Sequence, residues 1–162
     1  MAENFISSDL LIVGAGIAGI TAAVEAAETG LNVILVEKSP YIGGKVAQFN
    51  KYFPKMCPPG CGLEINIRRL RTNPAIKLFT LTQVSEIKKT DGKFTVVLKS
   101  KPRYVNNRCT NCGDCVKVCP QLRKNEFNYS MNETTSIYIP YESAYPARYV
   151  IDDKSFRAIL KK

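Results

Sequence analysis

The stretch that decides the fold is Asp9-Leu-Leu-Ile-Val-Gly-Ala-Gly-Ile-Ala-Gly19, near the start of the 162-residue chain. Its apolar first half, Asp9–Val13, predicts a buried parallel strand. The glycines of its second half have the G-x-G-x-x-G spacing. Gly14 permits a tight turn out of the strand, Gly16 lets a pyrophosphate approach the backbone, and Gly19 lets the next helix pack closely. The stretch therefore predicts a dinucleotide-binding loop.

The following segments complete a strand–helix–strand unit. Ile17–Thr29 is alanine-rich and predicts a helix with Gly30 at its C-terminal cap, and Asn32–Glu37 predicts a second buried strand. We expect one face of the helix to point inward, through Ile17, Ile20, Val24 and Ala27. Because Glu37 ends the second strand at the expected distance from the glycines, its carboxylate is a candidate to accept hydrogen bonds from ribose hydroxyls.

The rest of the first half changes from irregular to β-like. Residues 40–62 are rich in proline and glycine, and Leu63–Thr72 predicts a short helix that Asn73-Pro74 stops. Three predicted strands follow as a β-meander, with a hairpin turn at Asp91-Gly92. These strands are Lys77–Leu81, Val84–Lys88 and Phe94–Lys99. We assign residues 1–104 to one domain and 105–162 to a second, ferredoxin-like segment and tail.

A second glycine pair indicates which dinucleotide binds. Gly43 and Gly44 follow Glu37 in an E-x(5)-GG pattern, which resembles the extension found in two-dinucleotide-binding-domain flavoproteins. In those proteins the glycine pair approaches the FAD pyrophosphate. The fold class is therefore predicted as α/β, with a Rossmann-like FAD-binding unit, a β-meander and a small ferredoxin-like cysteine loop.

Four of the six cysteines form one compact run. Cys109, Cys112, Cys115 and Cys119 precede Pro120 with the spacing C-x2-C-x2-C-x3-C-P, that of bacterial ferredoxins. This run predicts a 4Fe–4S cluster, since zinc sites use separated pairs of hooks and the chain has no histidine. In two-cluster ferredoxins the fourth cysteine serves the other cluster. Cys119 could therefore serve this cluster, serve a partner's cluster or remain unused.

The other two cysteines, Cys57 and Cys61, lie in a proline-rich C-x3-C loop. They are the candidate catalytic residues, and three interpretations stay open. They could form a redox-active thiol pair near the flavin, ligate an iron–sulfur cluster, or be ordinary loop thiols.

Composition limits the remaining function classes. The chain has 23 Lys and Arg residues against 14 Asp and Glu, a net charge of +9, but no recognisable nucleic-acid-binding module. The charge favours a solvated basic surface or the docking of an acidic redox partner. The longest apolar run, Leu10–Val13, cannot span a bilayer, and no signal peptide is evident. We expect a cytoplasmic protein that associates with membranes only through a partner.

In this order, the motifs resemble the A-type subunit of heterodisulfide reductase and, more closely, the A-type subunit of the quinone-interacting membrane-bound oxidoreductase. The motifs are Leu11-Ile-Val-Gly-Ala-Gly-Ile-Ala-Gly19, Val36-Glu-Lys38, Gly43-Gly44, Ala47-Gln-Phe-Asn-Lys-Tyr-Phe-Pro54, Cys57-Pro-Pro-Gly-Cys-Gly-Leu-Glu-Ile-Asn66 and Pro102-Arg-Tyr-Val105. The resemblance implies an oxidoreductase subunit with FAD and 4Fe–4S clusters, working with other redox subunits. It implies FAD contacts by Gly14, Gly16, Gly19, Glu37, Gly43 and Gly44, and iron ligation by Cys109, Cys112, Cys115 and Cys119. Lys38, which follows Glu37, is a further candidate cofactor-binding residue.

Three functions follow as hypotheses. The first is an electron-transfer flavoprotein subunit, the second an FAD-dependent thiol–disulfide reductase using Cys57 and Cys61, and the third a truncated, non-catalytic module. Members of the resembling family are much longer and carry a second cysteine run, which is absent here. We therefore expect a fragment, a truncated product or a subunit completed by another chain, inactive in isolation.

Overall fold

A computed structural model describes residues 5–54 and 56–157. The chain divides into two compact units, Met1–Lys101 and Pro102–Lys162. Within the described residues, no helix is both long enough and apolar enough to cross a membrane.

A three-stranded parallel sheet forms the centre of the first unit. Its strands are β1 (Leu10–Val13), β2 (Val33–Val36) and β3 (Ile76–Phe79), in the order β1-β2-β3. Strand β2 is paired on both sides, and all four of its side chains are buried. Because parallel strands are covered on both faces, the continuous apolar run Val-Ile-Leu-Val suits this central position. The predicted α/β class is confirmed.

Two helices accompany the sheet. Helix α1 (Ile17–Glu28) buries Ile20, Ala23, Val24 and Ala27, and it ends where Gly30 takes a positive φ of 97°. Helix α2 (Gly60–Thr72) packs against α1 and buries Leu63 and Leu70. It begins three residues before the predicted start at Leu63, because the Leu63 amide already donates to the carbonyl of Pro59 at 3.0 Å.

The prediction of a three-stranded β-meander is wrong for the first of its strands. Strand β3 pairs with β2 in parallel, since α2 provides the crossover that parallel neighbours need. Only β4 (Thr82–Thr90) and β5 (Lys93–Ser100) form the expected antiparallel hairpin. Asp91 and Gly92 both have positive φ, at 51° and 75°, as a two-residue hairpin turn requires.

The second unit consists of short elements around the cysteine loop. Helix α3 (Asp114–Lys117) lies inside the loop, and the chain then forms two small antiparallel pairs and a final helix. The pairs are β6 (Leu122–Lys124) with β7 (Glu133–Thr135) and β8 (Ile137–Tyr138) with β9 (Val150–Ile151), followed by α4 (Asp153–Arg157). Strands of two or three residues show no alternation in sequence, so this region lacked a predictable pattern.

Candidate functional site

The first glycine motif forms the bend between β1 and α1. Gly14 has φ +100° and donates its amide to the carbonyl of Val36 at 2.7 Å, so the bend is fastened to the end of β2. Helix α1 starts just after Gly16, and no described side chain caps its first turn. Its free N–H groups and the positive end of its dipole therefore face the space beyond the bend.

The three glycines of this motif have different surroundings. A Cβ atom at Gly19 would lie 1.9 Å from the backbone oxygen of Gly14, so only glycine lets α1 sit this close to the loop. At Gly14 and Gly16, by contrast, an added Cβ would meet no described atom within 4 Å. The loop therefore has open space on the side where a ligand could approach its backbone.

The second glycine pair lies directly against the first motif. The Gly43 amide donates to the carbonyl of Ala15 at 2.8 Å, and the two chain segments form a parallel bridge between Gly16 and Gly43. A Cβ at Gly44 would approach the Cα of Gly16 to 3.0 Å. Gly43 and Gly44 both have positive φ, at 111° and 58°. Two glycine segments that are distant in sequence thus border one space.

The carboxylate of Glu37 binds the backbone of the first glycine motif. Its side chain is buried, one carboxylate oxygen accepts from the Ala15 amide at 2.7 Å, and the other accepts from the Ser39 amide at 2.8 Å. The sequence predicted ribose binding for this residue and did not suggest the clamp on Ala15. A carboxylate has about four acceptor positions, so two bonds leave capacity for a hydroxyl group. Lys38, the next residue, is exposed.

Together these features fit a dinucleotide. Close backbone approach, open space over Gly14 and Gly16, and uncapped amides at the start of α1 are what an anionic pyrophosphate needs. The buried carboxylate of Glu37 supplies the acceptor that a ribose would require.

The cysteine loop has a backbone shaped by two positive φ angles, 61° at Asn111 and 85° at Gly113. Gly113 is also the residue before α3, whose first turn is closed by a bond from the Val116 amide to the Gly113 carbonyl at 3.0 Å. The Oδ1 atom of Asn111 is buried and finds no hydrogen-bond partner in the described residues. The loop is thus tightly turned around the cysteines, with an unsatisfied acceptor inside it.

Three of the loop thiols are close enough to influence one another. Burial raises the pKa of Cys115, and the proximity of Cys109 and Cys112 raises it further. Burial also raises the pKa of Tyr149, with additional contributions from Cys115, Cys109 and Cys112 in that order. Tyr149 also lies close to the loop backbone, since a Cβ built at Gly113 would lie 3.6 Å from its hydroxyl oxygen. No motif in the sequence marked it as a neighbour of the cysteine loop.

The fourth cysteine of the run continues the same turn. The Cys119 amide donates to the carbonyl of Val116 at 3.2 Å, and its thiol contacts the carbonyl of Gln121 at 3.7 Å. Among the described residues, no three His, Cys, Asp or Glu side chains converge as they would around one metal ion. A 4Fe–4S cube requires a wider arrangement, because each thiolate binds a different corner iron. An all-thiol donor set in a tight loop suits that cube.

The remaining cysteines lie in the first unit. Cys57 is half-buried, and Cys61 is exposed in the first turn of α2. Their shared neighbour is Tyr52, whose pKa is raised chiefly by a hydrogen bond with Cys57 and also by proximity to Cys61.

Comparison with known proteins finds a matching family model in each unit. The family model described as FAD dependent oxidoreductase matches residues 9–56, and that described as 4Fe-4S dicluster domain matches residues 101–153. An A-type iron-sulfur subunit of CoB–CoM heterodisulfide reductase, the second of Methanopyrus kandleri, is 41% identical over 142 residues, 87% of this chain and 22% of that protein. The corresponding subunit of Methanocaldococcus jannaschii is 40% identical over 151 residues, 91% of this chain and 22% of that protein. The chain is a homologue of the A-type subunit of heterodisulfide reductase.

This heterodisulfide reductase homologue spans about a fifth of the length of the curated relatives, 22% in both cases. Among solved structures, L-proline dehydrogenase from P. horikoshii superposes with a TM-score of 0.53 at 25% identity, over 59% of this chain and 19% of that one. The likeness confirms the Rossmann-like part of the predicted fold class. The two family models support FAD and a 4Fe–4S cluster as the cofactors.

Proposed function

We propose that the chain is an electron-transfer portion of an oxidoreductase subunit, passing electrons between FAD, a 4Fe–4S cluster and a partner protein. The observation that carries the proposal is the presence of both cofactor segments in one homologue of a heterodisulfide reductase subunit. Its relatives are named as reductase subunits, so we infer that this chain works with other redox subunits.

In the first unit, residues from three segments would hold FAD. The backbone at Gly14 and Gly16 would approach the pyrophosphate, Gly19 would keep α1 close, and Gly43 and Gly44 would close the opposite side. Glu37 would orient the ribose, and the exposed Lys38 would lie near the anionic cofactor. The open space over the loop and the hydrogen bond from the Ala15 amide to the Glu37 carboxylate support this assignment.

In the second unit, Cys109, Cys112, Cys115 and Cys119 would ligate the cluster. Their spacing and the mutual proximity of the first three thiols support the assignment. Gly113 would permit the tight turn in the loop, because its φ of +85° is strained for any residue with a Cβ.

When bound, FAD exchanges electrons in pairs or singly, whereas an iron–sulfur cluster carries one electron at a time. The chain's own residues would bind these groups and exclude water from part of their surroundings. We place the protein in the cytoplasm, with any membrane association made through a partner. Its charge of +9 favours an acidic surface on that partner.

The test is cofactor content measured on one anaerobic sample. Protein reconstituted with FAD, iron and sulfide should show flavin absorbance, with iron and sulfide in near-equal amounts. Cys112→Ser should lower iron content and leave FAD bound, whereas Gly16→Ala should lower FAD content and leave iron bound. Wild-type protein that stays free of iron after reconstitution would eliminate the cluster, and loss of both cofactors in both variants would contradict two separate sites.

A further inference from the structure

We propose that Cys57 and Cys61 form a redox-active dithiol that exchanges with disulfides, and that Tyr52 is its positioning residue. This activity depends on neither the FAD loop nor the cysteines at 109–119. It therefore goes beyond electron transfer between the two cofactors.

The loop before α2 holds Cys57 opposite Tyr52. The Tyr52 amide donates to the carbonyl of Cys57 at 3.2 Å, and the Met56 amide donates back to the carbonyl of Tyr52 at 2.8 Å. The two residues thus form an isolated antiparallel bridge. The bridge fixes the backbone of Cys57 instead of leaving it in an open loop.

The Tyr52 hydroxyl group also reaches the start of α2. A Cβ built at Gly62 would lie 3.8 Å from that oxygen, and Gly62 directly follows Cys61. The same hydroxyl forms a hydrogen bond with the Cys57 sulfur and interacts with Cys61. One hydroxyl group therefore bonds one thiol and lies near a second, which belongs to a different structural element.

The two thiols differ in the way that a working dithiol requires. Cys61 is exposed in the first turn of a 13-residue helix, so a substrate can reach it. Cys57 is half-buried and its backbone is held by the bridge, which suits it to resolve an intermediate formed on Cys61. The linker Pro58-Pro59-Gly60 has little freedom at its prolines, which limits how far the two sulfurs can separate.

The exchange balances with a small organic disulfide as oxidant. The Cys61 thiolate attacks one sulfur of that disulfide, a mixed disulfide forms, and the first thiolate leaves and takes up a proton. The Cys57 thiolate then attacks the Cys61 sulfur, which forms the Cys57–Cys61 disulfide and releases the second thiolate. Two electrons and two protons pass from the protein to the two released thiols. The Tyr52 hydroxyl orients the Cys57 sulfur for this attack through their hydrogen bond.

Peptide mapping of the reconstituted full chain can test this exchange. The protein is equilibrated anaerobically with glutathione and glutathione disulfide at graded ratios, trapped with an alkylating reagent and cut with trypsin. Cleavage after Lys55 and Arg68 releases both thiols on one peptide, residues 56–68, separate from the other four cysteines. As the buffer becomes more oxidising, this peptide should lose both alkylation sites together and carry an internal disulfide.

Variants separate the roles of the three residues. Cys57→Ser should retain a mixed disulfide between Cys61 and glutathione, because the resolving thiol is missing. Cys61→Ser should not form the corresponding mixed disulfide on Cys57 at a comparable rate. Tyr52→Phe should slow closure of the disulfide about tenfold, because it removes the hydrogen bond that orients the Cys57 sulfur. Tyr129→Phe, an exposed tyrosine of the other unit, is the matched control and should change nothing.

Three results would overturn the proposal. One is a 56–68 peptide that remains fully alkylated at every ratio, and another is equal adduct formation in the two serine variants. The third is loss of iron in both serine variants, which would make the pair cluster ligands instead. Failure of FAD or cluster binding in the wild-type protein would leave the exchange measurable, so the two proposals can fail separately.

Discussion

Replacement of Gly19 by alanine tests the geometry of the FAD loop most directly. The new methyl carbon would lie 1.9 Å from the Gly14 oxygen and 3.1 Å from its carbonyl carbon, both backbone atoms of the loop. Ordinary contact begins at 3.4 Å, so α1 must move away from the bend. Overpacking of this kind costs about 1–3 kcal/mol of folding stability.

The same displacement should weaken FAD binding, because the amides at the start of α1 move with the helix. A loss of about 1.4 kcal/mol of binding free energy raises the dissociation constant tenfold. We expect the dissociation constant for FAD to rise by at least about tenfold. Thermal unfolding of the cofactor-free protein measures the stability effect, and quenching of flavin fluorescence measures the binding effect. Gly19→Ala should show both a lower melting temperature and weaker FAD binding than the wild-type protein.

Gly16→Ala separates the two effects. Its backbone is extended, at φ −73° and ψ −179°, and no described atom lies within 4 Å of the added carbon. Stability of the cofactor-free protein should therefore stay near wild type, while the methyl group blocks the approach of a pyrophosphate. Gly60→Ala, at the start of α2, is the control and should leave FAD affinity unchanged. Wild-type FAD affinity in Gly16→Ala would refute the assignment of the loop.

Three further outcomes are expected. Glu37→Gln should weaken FAD binding about tenfold and lower the melting temperature, since an amide cannot accept from both the Ala15 and Ser39 amides as a carboxylate does. Tyr149→Phe should lower the midpoint potential of the cluster in an EPR-monitored titration, because it removes a polar hydroxyl group near the cysteine loop, whereas an unchanged potential would show that this group does not act on the cluster. Arg69→Met should lower the melting temperature slightly by breaking its ion pairs with Glu25 and Glu28, and only in low salt. Because Arg69 lowers the pKa of Glu28 below 4.5, this stabilisation is present above pH 4.5, and the difference between wild type and variant should vanish as the pH falls through the lowered value.

The strand–loop–helix core was predictable because each of its features is local. A continuous apolar run, glycines at fixed spacing and a capping glycine at 30 act over a few residues, and the structure has β1, α1 and β2 within one residue of the predicted ends. The early start of α2 was missed because Pro59 and Gly60 disfavour a helix interior, although proline is tolerated at a helix start.

Features set by distant contacts could not be predicted. The parallel pairing of β3 with β2 depends on where the chain returns after α2, and the sequence of β3 is compatible with either neighbour. In the same way, the acceptor role of Glu37 toward Ala15 and the position of Tyr149 beside the cysteines arise only in the folded chain. No pattern in the surrounding residues marks these contacts.

The link between Ala15 and Gly43 has a consequence for the order of events during biosynthesis. The backbone hydrogen bonds described above for the glycine loop join residues between Gly14 and Gly43, so the loop closes over a short stretch of chain at low entropic cost. A nascent chain could therefore gain affinity for flavin once this stretch has left the ribosome, before α2 and the hairpin have emerged from it. Early capture would stabilise the emerging sheet, and above the dissociation constant this stabilisation would grow with the logarithm of the free flavin concentration.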